Sequence, residues 1–428
     1  MTLNADRAIR RSIDAVAMER GVGSSRLLSL LLPTAVALYA HFQGVQTILV
    51  PAQIEAIDPA RKIAHLALLT VICAATGVAG LMTGGVISDS TRTRWGRRSP
   101  WLAFMAVLSA VLSLSLGFQI ELVPIAALYA ALWFSLNFFQ GAMLAVVPDR
   151  VPEHKRSLAS SIMGAAAPLG ALVGVNLAAF FSGEAGYDVL ATALVATTLA
   201  LALFAPEPLS AATATPSRRA QLHRLGFGAA RRSLQSFASR DFSVAFGIRV
   251  LMFVAQFSIN NYLLYILQDH IGVANLPGAN AQIAAGALSS LRTIVTIFTV
   301  FVAGWIAHHT PRRKLFVRTY AVIMAAAMLV PVLSPSWAGM AVFSIVGGIA
   351  MGVYSTIDLA FMSQVLPNKD AAGRDLAMLV MAGAAAQFLA PLIGGGFIRF
   401  FGYDALFIFC AISTLGVGAA TFLLRRVP

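Results

Sequence analysis

The chain is poor in charge: 11% of its 428 residues are Asp, Glu, Lys or Arg, against 58% that are hydrophobic. A soluble globule of this length needs more polar surface than that, so a water-soluble protein is excluded. Cysteine is scarce too. Cys73 and Cys410 are the only two, both fall inside apolar runs, and they read as small apolar fillers rather than a disulfide framework. Residues 1–26 carry charges throughout and contain no apolar run ahead of a small-residue cleavage site, so no signal peptide is expected and the first apolar segment directs insertion. No metal-ligand cluster, nucleotide loop or nucleophile with its base stands beside an apolar run. An enzyme, a cofactor and a metal are therefore not expected.

What the chain has in abundance is long apolar runs. Twelve of them, at 27–50, 62–87, 100–120, 122–148, 156–182, 187–205, 242–268, 279–306, 315–334, 337–361, 372–398 and 404–424, are long enough to cross about 30 Å of hydrocarbon as helices of about 20 residues. The fold class this implies is an all-α integral membrane protein. A formal charge of +13 would suit nucleic acid if it covered a soluble face, but it does not. With both termini in the cytoplasm, all but five of the 31 Lys and Arg fall in inside segments. Arg61, Lys62 and Arg399 stand in outside loops, and Arg249 and Arg292 stand within runs. The charge is thus a topology signal. It predicts a multi-pass protein of the cell inner (plasma) membrane, a monomer in contact with the lipid bilayer and not with nucleic acid.

The apolar pattern stops between Leu203 and Phe242, where Pro206, Pro208, Pro216 and a run of Ser, Ala, Thr and Arg take over. This divides the chain into a cytoplasmic segment 1–26, six runs in 27–205, a linker at 206–241 and six runs in 242–428. The halves echo each other. Leu144-Ala145, Pro152, Arg156-x-Leu158-Ala159 and Met163 match Leu359-Ala360, Pro367, Arg374-x-Leu376-Ala377 and Met381. Two pseudosymmetric six-helix bundles are the expected architecture.

Between the second and third runs lies Gly85-Val86-Ile87-Ser88-Asp89-Ser90-Thr91-Arg92-Thr93-Arg94-Trp95-Gly96-Arg97-Arg98-Ser99-Pro100-Trp101, a basic turn that an ordinary loop does not explain. It resembles the loop between helices two and three of the major facilitator superfamily, whose usual form is Gly-x-x-x-Asp-Arg-x-Gly-Arg-Arg. Here Gly96 follows Asp89 by more residues than usual. That longer form resembles the glycoside-pentoside-hexuronide:cation symporters and the related sucrose-transporter-like carriers. Gly304-Trp305-Ile306-Ala307-His308 and Arg312-Arg313-Lys314 look like a degenerate second copy, with His308 in place of the Asp. The resemblance implies the two-bundle fold and a secondary active transporter working by alternating access. It also implies that Asp89 with Arg97 and Arg98 forms a cytoplasmic gate, for which Asp149, Arg150 and Arg249 are further candidates. The alternative is that these arginines only fix orientation and touch lipid phosphate.

An ionisable group inside a bilayer costs about 2.5–3.5 kcal/mol on insertion scales and so marks a candidate site. Arg292 is the deepest, flanked by Ser289, Ser290 and Thr293; it would bind an anionic group or a coupling carboxylate, or else bridge to helix carbonyls or Asp358. Asp358 is the one carboxylate well inside a run and lies at a depth similar to Arg249, so it reads either as a proton-coupling group or as half of an ion pair. His41, with Gln43 and Gln46, makes helix one unusually polar. Its imidazole is a second proton-coupling candidate, with plain packing as the alternative. Gln256, Asn260 and Tyr265 on helix seven, and Trp133, Asn137 and Gln140 on helix four, supply amides and aromatic rings for a polar solute.

Departures from the symporter pattern matter as well. Melibiose-type symporters carry two helix-two carboxylates where this chain has Gly77 and Leu81, so a sodium site is not expected and protons are the coupling ion to look for. Pro168, Gly170 and Gly174, and Pro391 with Gly394 to Gly396, place helix breakers beside small residues, which permits close helix approach. The leading expectation is a proton-coupled importer of a small sugar-like, possibly anionic, solute. The other transporter reading is a proton antiporter exporting an amphipathic compound or lipid.

Overall fold

The structure is a computed structural model describing residues 25–207, 236–309, 313–366 and 372–424. The segment 1–24, most of the linker, and the side chains of His308, Arg312 and Arg374 lie outside the described residues. Helices run along nearly all of the rest: α1 (Ser25–Ile57), α2 (Lys62–Ser90), α3 (Ser99–Gly117), α4 (Leu122–Leu144), α5 (Arg156–Phe180), α6 (Glu184–Phe204), α7 (Arg240–Asn261), α8 (Ala281–His309), α9 (Arg313–Leu333) and α10 (Trp337–Gln364). A last stretch, Ala372–Ala420, breaks where Gly402 adopts φ +85°, a value glycine tolerates and other residues resist. The break separates α11 (372–401) from α12 (403–420). Among the described residues, eleven helical stretches are long and apolar enough to cross a bilayer, and this break makes the last of them two spans. The fold is the expected all-α one with twelve spans.

These sequences form helices because, without water, only intrahelical bonds satisfy every backbone N–H and C=O. Local signals set the ends. Pro100 occupies the first turn of α3, where its missing N–H is harmless. The Ser336 hydroxyl caps α10 by accepting from the Gly339 N–H at 3.1 Å. Pro168, Pro331 and Pro391 sit inside α5, α9 and α11. One departure from plain α-helix is in α1, whose residues Val45–Leu49 are π-helical. Another is beyond α7, where the run expected to reach 268 passes through a π segment, Ile266–Gly272.

The chain forms two compact units, and the boundary is not at the linker alone. Of the described residues, 25–45 and 76–207 make the first unit, and 46–75 and 236–424 make the second. In the first, α3 packs on α4 and α6, and the small residues of α5 admit α1, with Gly170 against Tyr39 and Gly174 against Ala40. In the second, α7 packs on the 372–420 stretch and α10 packs on α8 and α9. The segment 46–75 belongs to the second unit because specific bonds tie it there. Gln46 Nε2 donates to Asn261 Oδ1 at 3.0 Å and the Tyr265 hydroxyl donates to the Pro51 carbonyl at 2.9 Å. A boundary drawn at the linker misses this exchange.

Candidate functional site

In the first unit, the α2–α3 turn is organised by Arg98, which is 1% exposed. The turn closes through Thr93 and Gly96, paired backbone to backbone, with Gly96 at φ +99°. This brings Arg98 back over the end of α2. Its Nε and Nη2 reach Asp149 Oδ2 at 3.0 and 2.8 Å, Nη2 also donates to Asp89, and Nη1 donates to the Ser88 hydroxyl. A planar fork with several donors suits two carboxylates at once, which an ammonium does not. Arg97 is looser, donating to the Asp89 carbonyl at 3.1 Å and lying 3.6 Å from its carboxylate. Asp149 joins the network as its position suggests. Arg150 does something else: its Nη2 clamps the carbonyls of Ala205 and Pro206 at 2.7 and 2.9 Å, just past α6.

That clamp delivers a residue that sequence reasoning missed. Glu207 Oε2 accepts from the backbone N–H groups of Arg98 and Ser99 at 2.8 and 3.1 Å. It is a carboxylate on the unsatisfied N–H groups that open α3, where the helix dipole favours negative charge. The same carboxylate packs on Gly96, at the place where a Cβ would project. A Glu between prolines in a linker carries no visible sign of this role.

Several polar residues of α1 and α4 spend their groups within the first unit. His41 is fully buried with Nε2 3.0 Å from the Ser113 hydroxyl, so it faces α3 inside the unit. The Asn137 amide returns to the Trp133 carbonyl at 2.8 Å, and Gln140 donates to the Tyr39 hydroxyl at 3.0 Å. Trp133 is buried edge-on against Phe42 and Tyr129, and Gln43 is half-buried. Gln46 belongs to the second unit, where Asn261 takes its amide.

The second unit holds two internal arginines with contrasting partners. Arg249 is 4% exposed; it donates to Asp358, and its Nε reaches the Leu379 carbonyl at 3.1 Å. The two groups that the sequence puts at similar depth are therefore joined. Arg292 has a neutral partner instead: Nη1 donates to Asn260 Oδ1 at 3.2 Å, and among the described residues it forms no ion pair. Around it, the Tyr320 hydroxyl is buried without a hydrogen-bond partner in the described structure, and so is Gln256 Oε1, one helical turn before Asn260. Of the candidates, Asn260 and Arg292 are thus joined, and Gln256 lies one turn along α7 from Asn260. Tyr265 does not join them, since its hydroxyl is used by Pro51 and its ring lies under Lys62.

Among the described residues, no group of three or more His, Cys, Asp or Glu stands close enough to hold a metal ion. At the α1–α2 turn, the His65 ring at the start of α2 hydrogen-bonds Asp58 at 3.1 Å and, with the Arg61 N–H, holds its carboxyl below the ordinary aspartate value.

Comparison with known proteins agrees with this architecture. No curated protein matches the sequence. In fold the chain is similar to a mutant of the nucleoside transporter NupG, at 12% identity and TM-score 0.72 over 93% of this chain and 100% of that one. It is similar to a bacterial homologue of the human lysosomal transporter Spinster, inward-facing and unoccupied, at 13% identity and TM-score 0.65 over 95% of each. It also resembles the peptide transporter POT in complex with sulfate, at 15% identity and TM-score 0.68 over 94% of this chain and 96% of that one. Identities this low speak for the fold alone. The Major Facilitator Superfamily profile matches residues 28–283 and again 248–428, so between them these matches take in nearly the whole chain, and the protein is a member of that superfamily of membrane transporters rather than an enzyme.

Proposed function

We propose that this secondary transporter imports a small polar anion, sugar-like in size, by alternating access and coupled to the proton gradient. The reading rests on one observation: Arg292, inside α8, has only an amide for company. An unpaired cation in a membrane helix is unfavourable by about 2.5–3.5 kcal/mol, and a bound anion would offset that. Tyr320 beside it and Gln256, one turn along α7 from Asn260, have polar atoms without a partner among the described residues and would orient the rest of the solute. Asp358 is the coupling carboxylate in this reading: a proton there releases Arg249, linking proton occupancy to how α7 is held against α10. The distribution of the basic segments supports cytoplasmic termini in this reading. His41, bonded to Ser113, is given a packing role.

Ligand-induced thermal stabilisation of purified protein tests this, using glucuronate against glucose and other anion–neutral pairs of equal size. A ligand at a hundredfold its Kd stabilises by about 2.7 kcal/mol, which is readily measured. Anions should stabilise the wild type, more weakly Arg292→Lys, and not Arg292→Gln. Equal stabilisation of Arg292→Gln would remove the site from this residue.

A further inference from the structure

A narrow stripe of α7 stays partly open in the middle of the helix. Between Met252 and Asn261, Phe253, Gln256, Phe257 and Asn260 are half-buried, and every other residue is buried. Spacings of three and four residues put these four side chains on one face. A face turned to lipid is apolar; this one carries two amides, so it meets a polar space instead. Gly383 of α11 stands beside it, with the Phe253 ring 3.7 Å from where a Cβ would project.

Two kinds of group share the stripe. At one end Asn260 accepts from Arg292. At the other, Phe253 and Phe257 stack with ring centroids 5.6 Å apart and planes within 13°, and the Arg249 guanidinium lies over the Phe253 ring at 5.2 Å. Arg249, Phe253 and Phe257 follow at intervals of four residues, so they build a column along α7. The Asp358 ion pair anchors that column at Arg249, and it ends at Phe257. Among the described residues, no further ring stacks on Phe257. Gln256, between the two phenylalanines in sequence, has a buried Oε1 with no partner among the described residues. Packing alone accounts for a buried pair of phenylalanines, but not for a half-open pair in register with two amides and an arginine.

The spacing selects the ligand. Phe257 precedes Asn260 by three residues, about 4.5 Å along the axis. A ring stacked on Phe257 and an acid group on Arg292 need about that separation within one molecule. Benzoate is too short, because its carboxylate is bonded directly to the ring, whereas about two methylenes between ring and acid fit.

We propose that the open face of Phe257, backed by Phe253, is a ring subsite beside Arg292, and that the anion carried is an aryl-substituted short-chain carboxylate. Resting on the anion reading of Arg292, this narrows the solute from any sugar-sized anion to one that bears a flat ring.

Equilibrium binding of 3-phenylpropionate, propionate and benzoate to the full-length protein in nanodiscs tests it. 3-Phenylpropionate should bind on the order of tenfold more tightly than propionate, through the ring area removed from water and the stacking, and more tightly than benzoate. Phe257→Leu keeps an apolar side chain without the flat face, so it should bring the ratio of the 3-phenylpropionate and propionate affinities down toward one. Phe253→Leu should lower the ratio less, because Phe253 acts through Phe257. Arg292→Gln should weaken all three acids. Unchanged binding of the acids to Arg292→Gln overturns the anion reading and this proposal with it. 3-Phenylpropionate binding no tighter than propionate, or a preference that survives Phe257→Leu, overturns the ring subsite alone. The comparison of ligands on the wild type needs no variant, so it decides the matter even where Phe257→Leu does not fold.

Discussion

Replacing Arg98 by Met removes the group that binds Asp89 and Asp149 at once and keeps the size of its stem. In a fully buried site, taking away one partner of an ion pair costs about 3–5 kcal/mol, because the other charge is left uncompensated. Here the carboxylates are less deeply placed, with side chains 17% and 31% exposed for Asp89 and Asp149. Water can take over part of their solvation, which brings the expected loss to about 2–3 kcal/mol. For a folding unit of this size each kcal/mol moves the melting temperature by about 2–4 °C, so Arg98→Met should melt roughly 4–12 °C below wild type. Arg98→Lys keeps the charge but not the fork and should fall between them. Size-exclusion chromatography of heated, detergent-solubilised protein reads this without any solute. Adding Asp149→Asn to Arg98→Met should restore part of the loss, since Asp149 is then no longer an uncompensated carboxylate and Asp89 keeps Arg97 nearby. A melting temperature for Arg98→Met within a degree of wild type would refute the reasoning.

Glu207→Ala should cost about 1–2 kcal/mol by uncapping α3, and Glu207→Gln less because an acceptor remains; the same melting assay checks it, and an Ala variant as stable as wild type removes the cap from the account. The Arg249→Met, Asp358→Asn double variant should lose less stability than the sum of the two single losses, with a coupling of at least about 1 kcal/mol in a double-mutant cycle; strict additivity would mean that the pair in the structure does not form in the bilayer. Asp58 has a lowered folded value, set first by the His65 hydrogen bond, so its contribution is present above the ordinary aspartate value and is lost as pH falls through the lowered one. The stability difference between wild type and Asp58→Asn should therefore shrink in acid, and a difference that grows there would reverse the sign.

The positions of the helices were legible because hydropathy marks a span directly, and the α2–α3 turn because its Asp, Gly and Arg spacing is so unlike a plain loop. Which face of a helix meets which neighbour was not. In a membrane, lipid and protein core are both apolar, so a helix such as α4 shows no polar stripe from which to read its inner face. This is why His41, Asn137 and Gln140 read as solute ligands, although their side chains bond to Ser113, Trp133 and Tyr39. Arg249 and Asp358 could be matched because a charge at known depth in a helix has few places to go. Glu55, Lys62 and Asp269, which pair in the structure, passed for ordinary charges at helix ends. Their meeting depends on α1 changing units at its π segment, a backbone event with no signature in VQTIL.

Accumulation of glucuronate, or of whichever anion stabilises the protein most, into proteoliposomes under an imposed pH gradient tests the central claim most directly. The account predicts uptake that follows the proton gradient, ignores a sodium gradient at clamped pH, and fails in Arg292→Gln. Uptake driven by sodium, or anion uptake that survives loss of Arg292, would contradict it.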